Sequence, residues 1–253
     1  MANARIYLTG RVAIEHGAAL VEERHLAGRQ GRLAFVYLAV HRHATVGRDE
    51  LSEIIWPEEP PPKTEVAFNA ILSKLRGALK RAGLSDGAAL DVRNRAVALR
   101  LPGDSWIDLE AASNAIDEAE GAIRAGADAR AWGCANVGVS IARRPFLAQE
   151  EAPWIEAQRV RLRSLLGRGL YCLSVHSGTH GDPSLAVQYA SEMIALEPFR
   201  ETGYQQLMRV HARAGNRAEA LRVFGRCREL LREELGASPS PETEAVYLEI
   251  LRA

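Results

Sequence analysis

Cysteine is scarce in this chain, and what little there is excludes a stapled scaffold. Cys134, Cys172 and Cys227 stand too far apart for a zinc knuckle, and their odd number argues against a disulfide framework. They are expected to be inert buried thiols in a reduced, cytoplasmic compartment. Long apolar runs are missing as well. Nothing approaches the roughly 20 consecutive apolar residues that cross a bilayer, so no membrane partner is expected. The opening ten residues also lack the basic-then-apolar pattern of a secretory leader. Net charge is absent too, since 32 Lys and Arg face 32 Asp and Glu. A zero sum would ordinarily speak against nucleic acid, yet it can hide halves of opposite sign. Residues 1–103 carry 15 basic against 11 acidic side chains, and the remainder carries 17 against 21.

The short marks of nucleotide-driven or hydrolytic chemistry are missing: no G-x-x-x-x-G-K-[ST], H-E-x-x-H, G-x-S-x-G or dinucleotide fingerprint occurs. The expectation is therefore a protein that is not an enzyme, with no catalytic residues and no cofactor. His176 and His180 have the four-residue spacing of a helical metal pair, but Ser177, Gly178, Thr179 and Gly181 predict a loop there, and no metal site is expected. Trp56, Trp106, Trp132 and Trp154 read as core or interdomain packing.

What is present has ordinary globular character, with 47% hydrophobic and 25% charged residues, in a length that suits two domains. Residues 5–21 are short β-prone runs broken by Gly10 and Gly17, which predicts a small antiparallel sheet. Leu33, Val36, Tyr37 and Val40 then fall at helical spacing, predicting a largely apolar helix over 29–41. Residues 45–47 read as a brief extended link. A second helix over 48–56 turns Leu51, Ile54 and Ile55 inward and stops at Pro57. Thr64 is placed to cap a third helix over 65–82, whose buried stripe is Phe68, Leu72, Leu75 and Leu79.

The opposite side of that third helix carries Asn69, Ser73, Lys74, Arg76, Lys80 and Arg81, with Lys63 just before it and Glu65 as the nearby acid. Residues 90–101 alternate around Asn94, predicting a strand pair with a basic tip at Arg93 and Arg95. Sheet, three helices, then hairpin is the order of a winged helix.

Two stretches here, RQGRLAFVYLAVHRHATVGRDELSEIIW and AFNAILSKLRGAL, resemble the DNA-binding domain shared by OmpR-type response regulators and the Streptomyces antibiotic regulatory proteins (SARPs). The resemblance implies that the helix containing Ser73 to Leu79 enters the major groove and that Arg93 and Arg95 lie along the minor groove. Arg and Lys suit phosphates and guanine, and Asn69 suits adenine. Asn94-Arg95-Ala96 departs from the family's usual glycine-then-aromatic near the hairpin tip. The candidate DNA-binding set is Lys63, Thr64, Asn69, Ser73, Lys74, Arg76, Lys80, Arg81, Arg93 and Arg95.

Beyond about residue 104 the pattern turns helical, with segments over 110–125 and 129–141 that Gly133 and Gly138 weaken. Rows offset by 34 residues bring Leu170 over Tyr204, Leu173 over Leu207, Ala186 over Ala220 and Ala190 over Phe224, the intervals of the tetratricopeptide repeat (TPR), and Pro198 falls at its closing proline. Residues 110–253 should stack as one short solenoid. RRPFLAQEEAPWIEAQRVRLRSLL and the stretch from RAGNRAEALRVF onward resemble the bacterial transcriptional activator domain, which follows the winged helix in SARPs.

The expected architecture is mainly α with a small β component: an OmpR-type winged helix-turn-helix domain over 1–104 and a TPR-like helical domain over 105–253. The resemblance implies sequence-specific regulation at promoters, with double-stranded DNA and RNA polymerase as partners and side-by-side protomers on direct repeats. Larger members add an ATPase module where this chain stops, so a compact form without ATP input or a receiver domain is expected. The rival expectation is a protein-interaction adaptor that uses the helical groove and a winged helix that does not bind DNA.

Overall fold

The computed structural model describes residues 3–84, 89–93 and 95–252. The chain forms two compact units, Met1–Glu110 with Pro145–Glu150, and Ala111–Arg144 with Glu151–Ala253.

In the first unit, β1 (Arg5–Tyr7), β2 (Ala13–His16) and β3 (Ala19–Glu22) form the expected antiparallel sheet. Both glycines sit in its turns at positive φ, 74° at Gly10 and 59° at Gly17. The order of this sheet is β3-β2-β1-β7, because β7 (Trp106–Ile107) adds a parallel strand beside β1. Asp108 follows directly and is fully buried. One of its oxygens, Oδ2, accepts from the Leu8 amide at 2.9 Å, the Thr9 amide at 2.9 Å and the Thr9 hydroxyl at 2.8 Å. Burial pushes the pKa of Asp108 upward against these donors.

Three helices follow: α1 (Gly28–Val40), α2 (Arg48–Ile55) and α3 (Thr64–Arg81). Leu33 to Ala39 of α1 are all buried, so it is the central element the apolar run predicts. Glu50 ties α2 to its surroundings, taking the Gly47 amide at 3.3 Å and the Tyr37 hydroxyl at 2.5 Å. Burial and that carboxylate push the Tyr37 phenol up to about 12. The stretch read as an extended link is a short strand, β4 (Val46–Gly47), which pairs with β6 (Ala96–Arg100), and β6 pairs in turn with β5 (Ala89–Arg93).

Residues Pro145–Glu150 complete this unit from far along the chain. Thr9 bridges to Phe146, and the Gly10 amide donates to the Pro145 carbonyl at 2.7 Å. Glu150, 4% exposed, accepts from Arg32 Nη2 at 2.6 Å and from Arg29 Nε at 2.8 Å.

The second unit is built from α4 (Asp108–Arg124), whose first turn lies in the first unit, then α5 (Asp128–Ala142), α6 (Pro153–Thr179), α7 (Pro183–Leu196), α8 (Glu201–Arg213), α9 (Arg217–Leu235) and α10 (Pro241–Arg252). All eight residues of the 34-residue alignment are buried, on α6 and α7 in one row and on α8 and α9 in the next. A buried polar chain joins the two rows: the Ser174 hydroxyl donates to the Ala186 carbonyl at 2.9 Å, and Gln206 donates to Ser174 at 3.1 Å. No helix among the described residues is long and apolar enough to cross a membrane.

Three expectations are corrected here. Residues 177–179 are helical instead of looped, because α6 runs on to Thr179 with Ser177 buried. Packing against α7 and α8 overrides the weak local propensity, and the His176 ring stacks at 4.1 Å on that of His180, the residue just past the helix. Burial lowers the His176 pKa, with His180 adding to it. Trp132 is 49% exposed, so it is not core. Cys172 and Cys227 are buried, with burial raising their thiol pKa values to about 12 and about 11, but Cys134 is only half-buried.

The two glycines that weaken the α5 pattern have different roles. A Cβ at Gly138 would lie 2.6 Å from Ile116 Cγ1 and 3.2 Å from the Ala112 carbonyl oxygen, whereas one at Gly133 would meet nothing. Ile116 is fully buried and has nowhere to swing. Gly138→Ala is expected to cost about 1 to 3 kcal/mol through overpacking, and Gly133→Ala to add about 0.5 to 1 kcal/mol through helix propensity. Urea unfolding of the two variants checks the opposite signs.

Candidate nucleic-acid interface

Helix α3 buries Phe68, Leu72, Leu75 and Leu79, as the sequence predicts, and also Ile71 and Ala78. That apolar arc leaves the opposite arc to solvent. Spacings of four, three and four residues set Asn69, Ser73, Arg76 and Lys80 in one row along the helix, and all four are exposed. Lys74 and Arg81, also exposed, fall about 100° further round, in line with Lys63 ahead of the helix. Between the rows lie Val66, Ala70 and Gly77, which present little bulk.

The cations differ in how free they are. Among the described residues, no carboxylate lies in ion-pair range of Lys63, Lys74, Arg76, Lys80 or Arg81, whose polar contacts are to backbone where they exist. Arg76 Nη2 reaches the Leu90 carbonyl at 3.5 Å, and Arg81 Nε reaches that of Gly77 at 3.4 Å. The hairpin arginines are paired. Arg93 meets Asp91 at 2.8 Å, an acid it shares with Arg100, and Arg95 meets Asp49 at 2.9 Å. Both arginines remain largely exposed, at 81% and 74%. Arg95 also holds φ at 63°, a left-handed conformation in which glycine or asparagine is the easy choice. Asn94 lies outside the described residues.

Thr64 does not cap the helix. It is the first helical residue, half-buried, and its hydroxyl donates backward to the Pro61 carbonyl at 2.7 Å, while Lys63 occupies the capping position.

Two residues of this surface escaped the sequence reading. Val66 stands 65% exposed on the cationic side of α3, and its place outside the apolar stripe was the available signal. Arg48, at the start of α2, is only 15% exposed. Its guanidinium carbon lies 4.4 Å from the centre of the Phe68 ring, and Nη2 donates to Glu65 at 2.6 Å and to Asn69 Oδ1 at 2.9 Å. Its backbone amide donates to the Arg95 carbonyl at 2.8 Å, joining α2 to the hairpin tip. No local pattern shows these contacts, because they come from three separate elements.

A mixed sheet-and-helix unit with an exposed cationic helix face, followed by a second unit of stacked helix pairs, defines a helical-repeat protein carrying a basic module. Residues 107–251 match the family described as "Bacterial transcriptional activator domain", and the chain belongs to that family. It is 30% identical over 253 residues to the regulatory protein AfsR of Streptomyces griseus, covering 98% of this chain and 24% of that protein. It is 31% identical over 224 residues to AfsR of Streptomyces coelicolor, covering 87% and 22%. The chain thus spans about a quarter of the length of these curated relatives. A solved structure of Mycobacterium tuberculosis EmbR, in complex with a low-affinity phosphopeptide, superimposes with a TM-score of 0.86 at 21% identity, over 100% of this chain and 66% of that one. That likeness shows a shared fold.

Proposed function

We propose that this chain is a cytoplasmic transcription regulator that binds double-stranded promoter DNA and catalyses no reaction. In this reading the first unit is a winged helix-turn-helix of OmpR type, with α3 in the major groove and the β5–β6 hairpin along the minor groove. The second unit is a TPR-like solenoid. RNA polymerase contact and side-by-side protomers on direct repeats follow from the family resemblance.

The observation that carries the reading is the set of five cations at α3 with no carboxylate partner among the described residues. A paired cation must give up its acid before it can neutralise a phosphate, and these five need not. Their two rows flank a floor of small side chains, so phosphates on either side can be met while the helix backbone approaches the base edges. Exposed Val66 adds an apolar group of the kind that meets a thymine methyl.

The test is a fluorescence titration of a labelled duplex from the intergenic region beside the gene, at several salt concentrations. Five phosphate contacts predict a slope of log K against log salt of about −4 to −5. Salt-insensitive binding would favour the adaptor that works through its helical groove.

Arg95 offers a separation of stability from binding. Arg95→Gly removes the left-handed strain and an exposed ion pair of small worth, so stability is expected to hold or to rise by about 1 kcal/mol. DNA affinity should nonetheless fall severalfold as one minor-groove cation is lost. Thermal melting and the same titration, run side by side, check both halves.

A further inference from the structure

We infer that Asn69 leads with its amide nitrogen on DNA, because Arg48 takes one lone pair of its amide oxygen and holds that atom toward α2, and that this orientation sets base preference at one position of the site. The inference rests on the DNA-binding reading above and goes beyond it. A guanidinium has five donors and no acceptor, so the amide edge that faces Arg48 at 2.9 Å must be the oxygen. The nitrogen is therefore turned away from Arg48, and among the described residues it has no protein partner. Arg48 is itself well held. The Phe68 ring lies under its guanidinium, Glu65 takes the same nitrogen at 2.6 Å, and only 15% of the side chain is exposed.

Adenine is read by an asparagine that uses both ends of the amide, accepting from N6 and donating to N7. An amide whose oxygen is held toward Arg48 keeps one lone pair there but leads with the two hydrogens of its nitrogen instead. The base edge that matches is the one with two adjacent acceptors, N7 and O6 of guanine. Asn69 is accordingly assigned to a G·C pair, in place of the adenine that its residue type suggests. Arg48 is a positioning residue in this scheme, since it acts on DNA through Asn69. It also keeps the Glu65 carboxylate engaged beside a phosphate-facing surface.

Selection from a randomised duplex library, using the full chain as wild type, Asn69→Ala and Arg48→Met, tests the assignment. Wild type is expected to enrich G·C over A·T by about tenfold at one position, the scale of a single good base contact. Asn69→Ala should lose preference at that position and no other. Arg48→Met, which still covers Phe68 but frees the amide to turn, should shift the same position toward A·T. A melting curve for each variant confirms that it is folded. Two outcomes overturn the inference while leaving DNA binding intact: wild type enriching A·T where Asn69→Ala relaxes, or Arg48→Met weakening all sequences equally with preference unchanged. Enrichment of no sequence by wild type overturns the DNA-binding reading and this inference together.

Discussion

Lys74→Ala combined with Arg76→Ala is expected to weaken promoter binding by about 30-fold near physiological salt, from the counterion release of two phosphate contacts. The salt slope should also become shallower by about 2, since each phosphate contact contributes about 0.9. Both side chains are exposed and neither has an acid partner among the described residues, so their loss should barely change the unfolding transition. That combination distinguishes a binding surface from a merely solvated one. A fully folded double variant with unchanged affinity and slope would leave the cationic face of α3 without a role.

Glu150→Ala is expected to destabilise the first unit by about 3 kcal/mol. The carboxylate is 4% exposed and anchors Arg32, whose side chain is 19% exposed, together with Arg29. Removing the acid leaves the Arg32 cation largely shielded from water with its main partner gone, and Arg32 Nε already has none. Arg29 is 55% exposed and can rehydrate. Glu150→Gln, which keeps an acceptor in place, should lie between the two. Urea unfolding followed by tryptophan fluorescence, with Trp56 and Trp106 in this unit, reads the loss.

What the sequence made legible follows from period. The four-three-four spacing of Phe68, Leu72, Leu75 and Leu79 can bury only one face of a helix, so the exposure of Lys74 and Arg76 on the other face was fixed by the same count. The 34-residue offset worked for a similar reason, because each matched pair occupies the same place in successive helix pairs and must be buried in both. Features that depend on distant partners left no such trace. A strand of two residues, β7, has no alternation to detect, and it is defined by its parallel neighbour β1. The helical run through Ser177 and Gly178 depends on α7 and α8. Arg48 reads locally as a first-turn arginine of α2, and its engagement with Asn69 emerges only once α3 is packed beside it. Thr64 is the reverse case: its residue type fits a cap, but the chain turns one residue earlier, after Pro61 and Pro62.

The return of Pro145–Glu150 to the amino-terminal unit bears on how this protein is made and how it can be cut. A ribosome exposes residues 1–110 before Glu150 has emerged, so the nascent module must wait with Arg32 lacking its Glu150 partner and Thr9 lacking its bridge to Phe146. Amino-terminal fragments that stop at residue 110 would be trapped permanently in that unfinished condition. A peptide spanning 145–150, supplied in trans or grafted after a short linker, is the missing piece that such a fragment would need.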